Sequence, residues 1–427
     1  MKRQHHVVVI GGGTGGLCLA QALHKAGVSV AVYERSRTRT ERLQGYRVHI
    51  NPHGSQALHE CLPADLWQRF VDTCGSSGGN FAFLTEQLDE LLEIGDDLIG
   101  SADPASGHHS VSRITLHQVL SAGLDGILHY DKEFVRYERN SDGTVTCHFA
   151  DGTTATGDIV VAADGGGSRV RQQYLPSAGR VDTGIVTVAG KFPLTDATRN
   201  LLPSRLVDGP NNILPKPGRF MFCAPHDLAD GRNDETYDHD KVLFDNTTSY
   251  VMWAFAAGRS RFPANVSDVD GIGLRNTVGR MIEDWHPGLR TLVAGTPGEA
   301  VSLLPIRTSV PVKQWPTTNI TLLGDAIHSM TPFGGIGANT ALRDARLLSH
   351  NIIDAVQQDR DMLAAIADYE RQMVEYGFAA VRSSLRNATQ AVSEATIGRV
   401  MFKTILRVCS AVPMLKRKMF SDLGSSE

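Results

Sequence analysis

Apolar residues along the chain fall into two periodicities that alternate from the N-terminus onward. Val7-Val8-Val9-Ile10 is an unbroken β-favouring run, the mark of a strand buried on both faces. It passes through Gly11-Gly12-Gly13-Thr14-Gly15-Gly16 into helical spacing over 17–25, and a second strand over 28–33 ends in Glu34. Thr115-Leu116-His117-Gln118 reads as a capping box opening a helix with Leu116, Val119 and Leu120 on its apolar face. Short buried strands over 158–162 and 320–323 each run into a glycine-rich turn, and a helical stretch over 340–353 follows the second turn. Strand, turn and helix recurring in this way predict a parallel sheet with helices on its faces. Between 181 and 300 the pattern changes. The runs 184–192, 219–224 and 249–256 look like strands separated by Pro, Gly and Asp turns, which predicts an antiparallel sheet.

A chain of 427 residues exceeds what a single core usually organises, so more than one domain is expected. The net charge of -4, with Lys and Arg dispersed, argues against a nucleic-acid partner. The six cysteines lie far apart without metal-ligand spacing, so neither a zinc site nor a disulfide framework is expected, and no metal is assigned. No run approaches the roughly 20 apolar residues that cross a bilayer, and the apolar run 7–10 is too short for a signal-peptide core. These features predict a cytoplasmic protein.

The first glycine cluster carries the clearest chemistry. In G-x-G-x-x-G, Gly11 permits a tight turn, Gly13 lets the backbone approach a pyrophosphate, and Gly16 allows close packing of helix on strand. The helix N-terminus then directs its unpaired N–H groups at the phosphates. Glu34, eighteen positions after Gly16 at the end of the second strand, is placed to accept bonds from an adenosine ribose. Arg35 either approaches the adenine or faces solvent. Arg113, just before the predicted capping box, reaches phosphate or ribitol oxygens if it is held there; otherwise it is solvated. Asp164 at the head of Asp164-Gly165-Gly166-Gly167-Ser168-Arg169-Val170-Arg171 marks backbone brought close to a ligand. Gly324-Asp325 and the turn Gly334-Gly335-Ile336-Gly337-Ala338-Asn339 build a second glycine-rich helix start.

In this order, G-x-G-x-x-G, D-G-x-x-S-x-V-R and G-D resemble the para-hydroxybenzoate-hydroxylase-like single-component FAD-dependent monooxygenases over nearly the whole chain. The resemblance implies an α/β fold: a Rossmann-like FAD-binding domain, an inserted antiparallel-sheet substrate domain, and C-terminal helices. The division expected is 1–75, 101–180 and 301–350 for the FAD-binding domain, 76–100 and 181–300 for the substrate domain, and 351–427 for the helical region. It also implies bound FAD and transient NADPH or NADH, with a small-molecule substrate and O2 as partners, and hydroxylation or epoxidation of an aromatic or other electron-rich compound. On the same grounds Glu34 takes the ribose, Arg113 the pyrophosphate and ribityl region, and Asp325 a ribityl hydroxyl. Asp164 belongs to a motif tied to FAD and NAD(P)H, and Gly337, Ala338 and Asn339 lie against the pyrimidine edge of the flavin. Arg47 stands where the family has a small residue and is expected to reach the pyrophosphate; Ile336 and Ile327 replace the usual Gln and Ala.

No catalytic residue is assigned. Met221 and Cys223 share one strand face, and Val251, Trp253 and Phe255 another; packing into the sheet's own core is the favoured reading for them. The basic tail 379–420 is expected to pack one face on the protein and leave its charges in water rather than lie on a membrane. The rival readings are a flavin-dependent halogenase, whose W-x-W-x-I-P segment is absent from this sequence, and an FAD protein that oxidises NAD(P)H without oxygenating anything.

Overall fold

A computed structural model of the chain describes residues 5–38, 47–74, 81–95, 103–226 and 249–420. The uniformly apolar strands form a five-stranded parallel sheet in the order Ile320–Leu322, Ile159–Ala162, His6–Ile10, Ser29–Tyr33, Leu128–His129. Its central residues Val7, Val8 and Val9 are fully buried because helices, Thr14–Lys25 and Gly337–Gln358 among them, cover the sheet. Strands more than 300 positions apart in the chain thus share one sheet, which brings the turns after Ile10, Ala162 and Leu322 to the same edge. Ligands of open parallel sheets bind at that edge, beyond the carboxyl ends of the strands. A three-stranded antiparallel meander, Phe134–Arg139, Val145–Phe149 and Thr154–Gly157, packs beside it.

The second sheet has seven strands in the order Val301–Ser309, Arg180–Pro193, Tyr250–Gly258, Arg219–His226, Asn211–Ile213, Phe81–Leu84, Glu90–Ile94. Only Asn211–Ile213 and Phe81–Leu84 run parallel. Val301–Ser309 pairs with Arg180–Pro193, so this sheet extends past residue 300 into the span expected to return to the cofactor domain. That strand is at the sheet edge, which is why Pro305, with no N–H to donate, is tolerated in it. Helices Gly271–Met281 and Pro287–Ala294 cover the outer face of the sheet. Met221, Cys223, Val251, Trp253 and Phe255 pack into that outer core, and Trp253 Nε1 donates to Thr296 Oγ1 at 2.8 Å. The inner face is the one that carries Phe220, whose ring meets Phe333 at 5.5 Å between centroids.

Candidate functional site: a dinucleotide cleft between two sheets

The first two strand-end turns line one cleft, and the third stands at the same sheet edge. At the first turn the glycines differ in what they face. Gly11 has φ of +110°, and a Cβ there would stand 2.3 Å from the Ala163 carbonyl oxygen. On Gly16 it would stand 2.2 Å from the Gly11 carbonyl oxygen. Both glycines are required by the protein itself. Gly13 is the exception: a Cβ there would meet nothing within 4 Å, so the room above it belongs to whatever the cleft receives. Gly13 also precedes the Thr14–Lys25 helix without any side-chain cap, leaving that helix's first N–H groups for an anion.

Glu34 closes the adenosine end. Its Oε2 accepts from Gly12 N at 2.7 Å, and its Oε1 accepts from Ser36 N and Ser36 Oγ, both at 2.8 Å. A carboxylate offers about four acceptor positions, so one on Oε2 is left for a ligand hydroxyl. Arg35 is exposed on the cleft wall, and Arg113 lines the cleft from the first residue of Arg113–Ser121. That helix starts earlier than the capping-box reading, because Ser112 is the cap, its Oγ accepting from Ile114 N at 3.2 Å. His117, Lys132 and Arg169 line the same cleft and were not found from the sequence. His117 and Lys132 sit in segments without glycine signatures, whereas Arg169 follows the Gly165-Gly166-Gly167 turn, a signal that could have found it; the placement of the meander and neighbouring helices brings the three together.

Asp164 organises the second turn. Its Oδ2 accepts from Arg169 N at 2.9 Å, its Oδ1 is buried without a hydrogen-bond partner among the described residues, and burial raises its pKa. Arg171, buried in the same motif, ties the turns together. It donates to the carbonyls of Ala178 (3.1 Å), Gly166 (3.1 Å) and Ala326 (2.7 Å), the last of these next to Asp325.

The third turn presents Asp325. Gly324 before it has φ of +59°. Asp325 is solvent-exposed, its carboxylate has no hydrogen-bond partner among the described residues, and it lies within the charge field of Arg113, which lines the cleft. Desolvation by the surrounding protein raises its pKa, opposed by the charges of His328, Arg180 and Arg113. Behind the turn lie fully buried Asp344 and His328, joined by partly buried Tyr376. Asp344 Oδ2 accepts from Gly324 N at 2.7 Å and bonds His328 Nε2 at 2.6 Å, while its Oδ1 accepts from Tyr376 Oη at 2.6 Å. Burial alone would depress the His328 pKa, but the charge and hydrogen bond of Asp344, with Asp325, hold it above the ordinary value. Asp344 carries no sequence signal of its own, being one more polar position in a helix.

The Gly337–Gln358 helix starts uncapped, with Ile336 at the cap position, so Gly337, Ala338 and Asn339 offer backbone N–H groups with no acceptor among the described residues. The Asn339 side chain is already engaged: Oδ1 accepts from Asn51 N at 2.9 Å, and Nδ2 donates to His49 O (2.9 Å) and Gly335 O (3.1 Å). Only its backbone can serve a ligand.

Arg47 does not line the adenosine end of the cleft. Its strand pairs with His109–Ser112, Nε donates to Ser110 Oγ, and the guanidinium lies in the charge field of Tyr250 on the second sheet, its pKa drawn down to about 10 by burial. Gly45 and Tyr46 lie outside the described residues. On the same strand, the His49 ring stacks on His108 at 5.0 Å and the two share a 2.9 Å hydrogen bond. Although His49 is exposed, desolvation by its neighbours, with the charges of His108, Arg47 and His109, lowers its pKa.

These features fit a flavin dinucleotide: open space over Gly13, an acceptor at Glu34, an unpaired carboxylate at Asp325 and an uncapped helix start at Gly337, gathered at one sheet edge. The chain is similar to known proteins over the same elements. Residues 9–74 match an NAD(P)-binding Rossmann-like domain and residues 280–383 an FAD binding domain, the second spanning Asp325 and the Gly337 helix start. A crystal structure from Photorhabdus luminescens, described as an FAD containing monooxygenase, is 36% identical, covers 91% of this chain and 98% of its own, and superposes with a TM-score of 0.80. A 6-hydroxynicotinate 3-monooxygenase of Bordetella bronchiseptica is 27% identical over 88% of this chain and 89% of its own. The dual O-methyltransferase/FAD-dependent monooxygenase elcB of Phaeosphaeria nodorum is 29% identical over 88% of this chain, which spans only 45% of that protein's length. The chain belongs to the FAD-dependent monooxygenases, and FAD is the cofactor of the cleft.

Proposed function

We propose that this protein uses NADH or NADPH and O2 to hydroxylate, or epoxidise, an aromatic or other electron-rich small molecule, one oxygen atom entering the product and the other leaving as water. The observation that carries this reading is that the unpaired Asp325 carboxylate and the uncapped N–H groups of Gly337 to Asn339 stand at the sheet edge that carries the glycine cleft, next to Phe333, which packs on Phe220 of the second sheet. When bound, FAD accepts the reducing equivalents and activates O2. The chain's own residues hold and orient it. Gly11, Gly13 and Gly16 shape the pyrophosphate turn, Glu34 takes the ribose with Arg35 beside the adenine, and Arg113 meets the phosphate and ribityl region.

Asp325 accepts a ribityl hydroxyl. The backbone N–H groups of Gly337, Ala338 and Asn339 stabilise negative charge at the pyrimidine edge of the ring, as prealigned dipoles do for a developing anion. Asp164 and Arg171 keep the second and third turns in register. The 6-hydroxynicotinate 3-monooxygenases among the relatives favour a hydroxylated aromatic ring as substrate. No helix among the described residues is long and apolar enough to cross a membrane, and the six cysteines are all unpaired thiols, which supports a reducing, cytoplasmic setting.

The test is a panel of phenols and hydroxylated heteroaromatics screened for stimulation of NAD(P)H oxidation by the FAD-loaded protein, with mass analysis under isotopically labelled O2. One labelled oxygen atom in a product supports the proposal. NAD(P)H oxidation that yields only peroxide across the panel, or a halogenated product when halide is supplied, overturns it.

A further inference from the structure

The Thr396–Ala411 helix is mounted with its apolar stripe outward. Leu406 and Cys409 are its buried hydrophobic anchors, packed with Leu91, Leu92 and Ile94 of the second sheet. Its cations Arg399 and Lys403 also turn inward, to the Ala391 carbonyl and to Glu86 respectively. At about 100° per residue, Ile397, Val400, Met401, Thr404, Val408 and Ala411 fall within a sector of about 100° on the opposite side. Ile397 is 85% exposed, and Val400, Met401 and Val408 are exposed with it. Pro413–Phe420 continues the surface with Met414, 80% exposed, and exposed Leu415. An apolar stripe of this kind on a water-facing helix marks a binding surface.

Charge and area decide what covers it. From Thr396 to Phe420 the sequence carries six cations and no carboxylate. Arg407 flanks the stripe and Lys416 and Arg417 follow it, where long side chains can keep their charges at a polar boundary while the stripe sinks below. Two copies of this surface face to face would oppose these like charges. The helix spans 16 residues, and at about 1.5 Å rise, with the short helix added, the stripe measures on the order of 350 Å², well below the roughly 800 Å² per partner of a stable protein interface. An anionic lipid surface asks for neither a matched partner nor that area. We infer that the Thr396–Ala411 and Pro413–Phe420 helices dock the enzyme, without crossing, on the surface of a membrane bearing anionic lipid headgroups.

The experiment is vesicle flotation of the full-length FAD-loaded protein with phosphatidylcholine vesicles and with vesicles containing phosphatidylglycerol, at low and high salt. Binding is expected to the anionic vesicles, about tenfold or more above phosphatidylcholine, and to fall with salt. The Val400→Glu/Met401→Glu pair is expected to abolish it. Lys416→Glu/Arg417→Glu, which leaves the stripe intact, removes the anionic preference and serves if the first pair unfolds. Absence of binding at low salt overturns the inference, as does undiminished binding of the stripe variant. Sedimentation velocity provides a further arm: a dimer dissociated by Val400→Glu/Met401→Glu would make the stripe a self-interface instead.

Discussion

The three fingerprint glycines should separate sharply when each is replaced by alanine. On Gly16 the added Cβ lies 2.2 Å from the Gly11 carbonyl oxygen and 3.0 Å from Ala163 Cβ, so the helix must lift from the strand. Overpacking of this kind destabilises by about 1–3 kcal/mol. Gly11→Ala adds the strain of a non-glycine residue at φ of +110°, another ~1–3 kcal/mol. Gly13→Ala meets no protein atom within 4 Å, and its φ of -79° suits any residue. The apo fold should therefore keep its melting temperature or gain slightly from a stiffer unfolded chain. FAD binding should nonetheless fall, because the methyl group occupies the space through which the pyrophosphate approaches the helix N-terminus; losing one charge-assisted hydrogen bond is worth about 1.5–3 kcal/mol, or roughly ten- to a hundredfold in affinity. Gly13→Val, with a larger obstruction, should abolish binding. Thermal melting of the apo proteins paired with FAD titration followed by flavin fluorescence reads both quantities. A Gly13→Ala protein that binds FAD like the wild type, or a Gly16→Ala protein as stable as the wild type, refutes the division of labour.

Asp325→Ala should weaken FAD by about 1–3 kcal/mol without lowering the apo melting temperature, since its carboxylate has no hydrogen-bond partner in the described fold; loss of apo stability would show a structural role instead. Asp344→Ala, which strands His328, Tyr376 and Gly324 N, should destabilise by about 3–5 kcal/mol, measured as a fall in melting temperature. Because the His328 pKa is raised on folding, its contribution is fully present below about pH 6.5 and fades as pH climbs through the folded value; melting temperature against pH should show this decline in the wild type and a flatter profile in Asp344→Asn. NAD(P)H oxidation should be slow alone and faster with a true substrate, since the one glycine cradle is taken by FAD; rapid-mixing traces of flavin reduction that are unchanged by a hydroxylated substrate would rule out such gating.

What was legible in the sequence is what the backbone dictates locally. The glycine turn, the acidic strand end at Glu34, and the D-G and G-D turns are constraints of a few consecutive residues, and they gather at one sheet edge because parallel strands share a carboxyl end. The resemblance named the cofactor on the same residues. Tertiary structure alone decided the rest. Both faces of the strands 219–226 and 250–258 are apolar, so alternation does not say which face turns to the cleft; the helices 271–281 and 287–294 take Trp253 and Phe255 and leave Phe220 inside. Asp344 and Arg171 act on turns far from them in sequence, and a hydrogen bond across that separation leaves no trace in local pattern. Arg47 is claimed by Ser110 through a strand pairing no periodicity announces. The orientation of the 396–411 helix depended on its docking: with apolar residues on both sides, the chain alone determined that it was amphipathic, and only packing against the second sheet decided that its apolar stripe would face outward.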